Sequence, residues 1–149
     1  MKIRSRKIGK VASLAALDER RSGELAGRSR RNLDEQLDRL GELNAFRYNY
    51  AKKSTSMTGM SSAHWKDYQN FLHRLDTAVK AQQQLVRDCE QNAETHRQRW
   101  MVKRQKLESL ERVLDKYKAE DRAYDARTEQ KVLDDLPNSQ VTCFDIDDN

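Results

Sequence analysis

The sequence is poor in the residues that break helices and in those that crosslink chains. It holds one Pro, five Gly and two Cys among 149 residues. Between Trp65 and Lys131 there is neither Pro nor Gly, so nothing there interrupts the hydrogen bonds of a helix. Cys89 and Cys143 fit no disulfide or zinc framework, and this favours a reducing compartment.

The residue patterns of catalytic and metal sites are also missing. His64, His73 and His96 do not lie three or four residues from one another or from a cysteine, as a helical metal site requires. The sequence has no glycine-rich phosphate loop. The carboxylates of the two predicted helices each have a cation within one helical turn, and two packed helices offer no cleft that would raise a carboxyl pKa. We therefore expect no catalytic residue, no cofactor, no metal and no enzymatic activity.

Long apolar runs and a strong excess of charge are lacking as well. No segment approaches the ~18 apolar residues of a membrane span, so we expect no direct membrane insertion. The basic start, residues 2–10, and the short apolar segment 11–17 run straight into Asp18 and Glu19, which favours a helix start over a signal peptide. The net charge is only +5, and the basic cluster 28–31 lacks a recognition fold and interleaved aromatics. Nucleic acid is therefore not an expected partner.

What the sequence does have is one long heptad pattern. Alternate steps of three and four residues from Trp65 reach mostly apolar or aromatic positions as far as Tyr124, and the positions between them are mostly polar or charged. Such spacing over many turns is typical of a coiled-coil seam. A helix over residues 63–136 would be about 110 Å long at 1.5 Å per residue, and it needs a partner because it buries only one stripe.

A first helix is predicted over residues 8–51. Its early part is weakly patterned, with apolar residues at Val11, Leu14, Leu17 and Leu25, and the pattern becomes firm from Leu33. The Ser- and Thr-rich segment 52–62 predicts a loop, with Ser61 or Ser62 capping the second helix.

Two amphipathic helices joined by a short polar loop predict an all-α fold, a long two-helix antiparallel coiled coil (αα-hairpin). We expect a monomer with a single coiled-coil domain, residues 1–136, and a disordered acidic C-terminal tail, residues 137–149. A structural, parallel homodimer through the long helix is the alternative.

The unequal helix lengths predict an overhang. With the turn near Met57, Tyr50 faces about Trp65, and Ile8 faces about Leu107. The second helix then extends beyond the first by roughly 30 residues, about 45 Å. Its seam continues there without a partner in the same chain, at Leu107, Leu110, Leu114 and Tyr117.

Near the loop, the apolar residues exceed what one seam requires. The first helix carries a stripe of three, and the second carries a neighbouring stripe of four: Leu43, Phe46 and Tyr50, then Phe71, Leu75, Ala78 and Gln82. The two stripes could join into one aromatic-rich binding patch across the hairpin. The alternative is that these residues only widen the core around the seam.

Several stretches resemble the FliJ family of bacterial flagellar export proteins. They lie in order over most of the chain, at residues 40–50, 68–79, 82–83, 97–100, 107–110, 129–131 and 134–135. The most specific are Tyr-Gln-x-Phe-Leu-x-x-Leu, which begins at Tyr68, and the ending Glu129-Gln130-Lys131, because neither follows from heptad requirements. Stalk proteins of virulence type III secretion injectisomes have the same rod shape and are the near alternative.

The resemblance implies a stalk-like adaptor and general chaperone of the flagellar type III export apparatus. Such a protein is cytoplasmic and peripheral at the inner face of the membrane at the flagellar base, and it supports motility. Its implied partners are the hexameric export ATPase, the cytoplasmic domain of the export-gate membrane protein, and empty export chaperones. The gate-binding residues of the family fall on Leu43, Phe46, Tyr50, Phe71, Leu75, Ala78 and Gln82. We expect the overhang, with Leu107, Leu110, Leu114 and Tyr117, to enter the ATPase ring.

Overall fold

The structure, a computed structural model, describes residues 2–55, 59 and 61–136. Two α-helices account for nearly all of them: α1, Lys2–Thr55, and α2, Ser62–Asp134. The helices pack against each other in antiparallel directions, which confirms the predicted αα-hairpin. The predicted disordered tail, residues 137–149, lies outside the described residues, and so does Cys143.

α1 is longer at both ends than the predicted span 8–51. The basic residues before Ile8 continue the helix, and Lys52 and Lys53 lie in its last turn, where cations interact favourably with the helix dipole. α2 begins at Ser62, one residue before its predicted start, and the Ser61 hydroxyl oxygen accepts a hydrogen bond from the backbone N–H of His64 at 3.3 Å, as expected of a capping serine. Between the helices Gly59 has φ +99°, a conformation that glycine adopts without steric cost.

The chain divides into two compact units. We call Leu17–Gln105 the loop unit, and Met1–Ala16 with Lys106–Asn149 the terminal unit. In the loop unit, Leu33, Val86 and Cys89 form a buried cluster, and Tyr68, Leu75 and Val79 are also buried. All of these residues except Leu33 belong to α2, and they lie at the seam positions predicted from the sequence.

A polar layer interrupts the apolar seam of the loop unit. The side-chain amide of Gln82 donates to the backbone oxygen of Gln36 at 3.0 Å and to its side-chain oxygen at 2.9 Å. Gln36 is only 7% exposed, and its own amide donates to Asn32 at 3.5 Å. Because a register shift would leave these buried groups unpaired, the layer favours one alignment of the two helices.

Trp100 determines which face of α1 meets α2 in this part of the loop unit. Its indole N–H donates to the Glu19 carboxylate at 2.9 Å. A Cβ atom added at Gly23 would lie 3.0 Å from the indole nitrogen, so the bulky ring is matched by a residue without a side chain. Leu17 and Leu25, two apolar residues from the weakly patterned part of α1, face outwards in this unit and are 43% and 47% exposed.

Gly23 and Gly41 provide a matched test of this packing. Both lie inside α1, where Gly→Ala stabilises a helix by about 1 kcal/mol if the methyl group fits. No atom lies within 4 Å of a Cβ at Gly41, so we expect that full gain for Gly41→Ala. Gly23→Ala should instead reduce the free energy of unfolding, because Trp100 must move. Urea denaturation followed by circular dichroism measures both values, and an equal gain for the two variants would contradict the packing.

The terminal unit shows that the predicted overhang is wrong in register and length. Lys2 Nζ lies 3.5 Å from Asp125 Oδ2, and a Cβ at Gly9 would lie 3.9 Å from Leu114 Cδ1. The predicted alignment placed Leu107 opposite Ile8. In the structure the residue opposite Gly9 is Leu114, which lies further along α2. The difference arises because α1 begins at Lys2 and continues to Thr55, so that α1 covers more of α2 than expected.

Candidate partner-binding surfaces

Five aromatic rings join the two helices of the loop unit near the loop. The rings of Tyr50 and Tyr68 stack with centroids 4.8 Å apart, and the Tyr68 hydroxyl donates to the Tyr50 backbone oxygen at 2.6 Å. Phe71 lies 4.6 Å from Tyr50 and 6.4 Å from Phe46, while Trp65 stacks on Tyr68 at 5.9 Å. We call these five residues the ring cluster. It joins the aromatic residues of the two predicted stripes.

The ring cluster is buried at its centre and half-exposed at its edges. Tyr68 is 6% exposed, whereas Phe46 and Trp65 are 52% and 48% exposed. Aromatic rings of this kind carry large contact area at low conformational cost, and they dominate many protein interfaces. Trp65 stacks on the buried Tyr68, and Phe46 contacts the half-buried Tyr50 and Phe71. Two half-exposed rings held by packed neighbours are suited to binding an apolar partner surface.

The seven residues predicted for gate binding divide into two groups in the structure. Those on or near the surface are Leu43, Phe46, Tyr50, Phe71 and Ala78, of which Phe46 and Ala78 are exposed and the others half-buried. Leu75 is only 8% exposed and belongs to the helix interface. Gln82 is half-buried and holds Gln36 in the polar layer. Heptad spacing alone did not separate these two groups, and it assigned Trp65 and Tyr68 to the seam instead of the patch.

Charged side chains border the ring cluster. Arg47 and Asp76 form an ion pair between α1 and α2, and both side chains are more than a third exposed. Exposed pairs of this type contribute little stability, about 0–1 kcal/mol. Arg47 follows Phe46 directly in the sequence, so the pair places charged groups near one edge of the ring cluster, as is usual around an apolar interface centre.

The residues predicted to meet the ATPase ring lie within the terminal unit. Leu107, Leu110, Leu114 and Tyr117 are all half-buried, and α1 supplies the covering side, with Ala12 only 7% exposed. They therefore do not form an unpaired seam. Full exposure begins further along α2, where every described residue from Ala126 to Leu136 is exposed.

One surface feature was not found from the sequence. A groove of about 510 Å³ lies in the loop unit, with an apolar floor that includes Gly23, Ala93 and Trp100. Glu94 and Arg97 stand at its rim, and the hydrogen bonds from the Arg97 guanidinium hold the pKa of Glu94 below its ordinary value. In the sequence, Gly23 and Gly27 indicated only a weakened helix. The sequence signal that could have revealed the groove is Trp100 at a seam position, because a large ring there requires a small residue on the opposite helix.

The described part of the chain holds neither a candidate metal site nor a candidate membrane span. Within 2–55, 59 and 61–136, no group of three or more His, Cys, Asp or Glu side chains is placed to hold a metal ion. Neither helix, over its described length, contains an apolar segment long enough to cross a membrane.

Comparison with known proteins identifies a family. The model of the family described as "Flagellar FliJ protein" matches residues 5–141, which is most of the chain. Neither the curated proteins nor the solved structures contain a match. The matched range covers α2, the ring cluster and all but the first three residues of α1, and the family consists of non-enzymatic components of flagellar protein export. The chain therefore belongs to the FliJ family of flagellar proteins.

Proposed function

We propose that this protein is a stalk-like adaptor and general chaperone of the flagellar export machinery. In this role it links the hexameric export ATPase to the cytoplasmic domain of the export-gate membrane protein and receives empty export chaperones. It acts as a monomer in the cytoplasm, at the inner face of the membrane at the flagellar base. The family match is to flagellar proteins, and this favours the flagellar assignment over the injectisome alternative.

The ring cluster is the observation that carries the proposal. Phe46, Tyr50 and Phe71, three of the residues implied for gate binding, contact one another in the structure through ring pairs 4.6 to 6.4 Å apart. Phe46 remains 52% exposed although its neighbours are packed. Exposed aromatic rings that are grouped with other apolar side chains, unlike apolar residues scattered singly, often mark an interaction site. We therefore assign gate binding to the ring cluster, with Leu43 and Ala78 beside it.

For the ATPase we propose a contact through exposed parts of the terminal unit. Leu107, Leu110, Leu114 and Tyr117 keep part of their surface exposed for this contact, since α1 covers them only in part. The exposed residues of α2 further along include Tyr124, Val132 and Leu133, at 56, 59 and 66% exposure. These are large apolar side chains on an exposed helix, and a ring that surrounds the helix would bury them.

Two experiments test the proposed function in the cell and in solution. A clean deletion of the gene should reduce secretion of rod, hook and filament subunits and should impair swimming. The purified protein should retain the export ATPase and the gate domain in a pull-down, and a Phe46→Ala variant should retain the ATPase alone. Normal secretion and swimming in the deletion strain would show that the protein has another role.

A further inference from the structure

The first turns of α1, in the terminal unit, carry positive charge on the side that faces away from α2. Residues 2–16 include five Lys or Arg and no Asp or Glu. Ala12 is only 7% exposed and marks the side that meets α2. Because an α-helix turns by about 100° per residue, seven exposed residues lie on the opposite side or at its edges. We call them the basic face: Ile3, Arg4, Arg6, Lys7, Lys10, Val11 and Leu14.

The charge of the basic face is not neutralised by the rest of the terminal unit. Lys2 pairs with Asp125 of α2 at 3.5 Å. In the part of the chain that the structure describes, no salt bridge involves the four cations of the basic face. Residues 106–136 of α2 have the opposite balance, with nine Asp or Glu against seven Lys or Arg. The positive charge of this unit is therefore concentrated on α1.

Large aliphatic side chains lie among these cations. Ile3 and Leu14 are 67% and 68% exposed, and Val11 is 44% exposed. The phosphate backbone of a nucleic acid would pair with the cations alone. An anionic lipid surface uses both kinds of side chain, because aliphatic groups enter the boundary between headgroups and acyl chains while Lys and Arg reach the headgroups.

We propose that the basic face binds the anionic surface of a phospholipid bilayer. Four or more Lys or Arg on an amphipathic helix are typical of segments held at an anionic leaflet, and the basic face has four. From Ile3 to Leu14 it is about 16 Å long, and α2 lies on the far side of α1, so the contact leaves the hairpin folded. The proposal rests on the proposed location at the inner face of the membrane, and it adds the residues and the lipid charge that make the contact.

The lipid contact and the proposed ATPase contact exclude each other. A ring that surrounds the terminal unit would cover α1 together with α2 and would close the basic face to lipid. Lipid binding therefore belongs to the protein outside the ring, and entry into the ring requires its release from the membrane surface.

Co-sedimentation of the full-length chain with vesicles of phosphatidylglycerol and phosphatidylcholine in equal parts tests the proposal. Lys7→Gln with Lys10→Gln should lower the partition coefficient about thirty-fold, since two cations near the anionic surface are lost. Vesicles of phosphatidylcholine alone should bind little protein, and about 0.5 M salt should release it. As the matched control, Lys116→Gln with Lys118→Gln removes the same charge from exposed residues of α2 and should change binding by less than about threefold.

A polarity-sensitive fluorophore shows which side of the unit touches the lipid. It is attached at Leu14→Cys or, as the matched position, at Ala119→Cys, which is exposed on α2 five residues from Leu114. Cys143→Ser removes one native thiol, and Cys89 is kept because it is only 7% exposed. On vesicles, the emission of the label at position 14 should shift to the blue, and that of the label at position 119 should not.

Several results would overturn the proposal. Equal binding to neutral vesicles would do so, and so would a blue shift at position 119 in place of position 14. Binding to duplex DNA through Lys7 and Lys10, without binding to vesicles, would assign the face to nucleic acid instead. A doubling of the mass in solution through the same two residues, without binding to vesicles, would assign it to a second copy.

Gate binding separates this inference from the proposed function. Lys7→Gln with Lys10→Gln should leave the affinity for the gate domain unchanged, because the ring cluster lies in the other unit. If the unaltered protein binds the gate domain but not the anionic vesicles, the lipid contact alone is wrong. If it binds the vesicles but neither the gate domain nor the ATPase, the proposed function is wrong and the lipid contact stands.

Discussion

Phe46→Ala is expected to weaken binding to the cytoplasmic domain of the export gate by about 2 kcal/mol, roughly thirty-fold in Kd. The side chain is 52% exposed, so a partner can bury the remaining ring surface. Its contacts with Tyr50 and Phe71, at centroid distances of 6.3 and 6.4 Å, hold the ring in place before binding. Isothermal titration calorimetry with the purified gate domain measures the loss. The helix content should stay the same, because Tyr68 and Leu75 still fill the interface.

Tyr48→Ala is the matched control for this variant. Tyr48 is 67% exposed and lies two residues from both Phe46 and Tyr50, so it points to another side of α1. We expect its loss to change gate affinity by less than twofold. Phe71→Ala should reduce both affinity and stability, since Phe71 is half-buried against Tyr50 at 4.6 Å. Equal losses for Phe46→Ala and Tyr48→Ala would mean that the ring cluster is not the gate surface.

Leu114→Asp is expected to lower the free energy of unfolding of the terminal unit by about 3 kcal/mol. Leu114 is half-buried and lies opposite Gly9, which has no side chain to shield a carboxylate. If Leu114 lay on an unpaired seam, as the sequence predicted, the hairpin would stay folded after this change. The register in the structure reverses that expectation. Hydrogen exchange should show loss of protection at residues 2–16 and 106–125.

Val132→Asp introduces the same group on the same helix at a residue that is 59% exposed. Its effect on stability should stay within about 0.5 kcal/mol, as for most surface changes. Reduced ATPase binding by this variant, with unchanged protection of residues 2–16, would support the ATPase contact proposed for the end of α2. If Leu114→Asp leaves hydrogen exchange unchanged, α1 does not cover α2 at this position.

The seam of α2 could be predicted because a heptad pattern follows from helix geometry alone. Tyr68, Val79, Val86 and Cys89 are buried where the steps of three and four residues placed them. The α1 seam could not be predicted in the same way, since steric fit to Trp100 selects a face with Gly23 over a face with leucines. Hydrophobicity favours the leucine face, and only the partner helix shows that a small residue is required.

Register and site composition were harder to predict for a related reason. The register depends on where α1 ends and on one polar layer, Gln36 with Gln82, and neither has a signal in the heptad pattern. A small error near the loop was carried along the helices, and it misplaced the predicted overhang. The composition of the candidate site also depended in part on the register. Phe46, Tyr50 and Phe71 were grouped correctly by spacing, whereas the burial of Leu75 depends on the register.

The interhelical contacts of the loop unit differ greatly in the length of chain that each one closes. The Tyr68–Tyr50 hydrogen bond spans 18 residues, Gln82–Gln36 spans 46, Asn32–Cys89 spans 57 and Trp100–Glu19 spans 81. Closing a short loop costs less entropy, and each contact that forms shortens the loop left for the next. The tyrosine pair should therefore form first during folding, followed by contacts between residues further apart in the sequence. Thermal unfolding should break these contacts in the reverse order. The ring cluster is then the first part of the unit to form and the last to be lost.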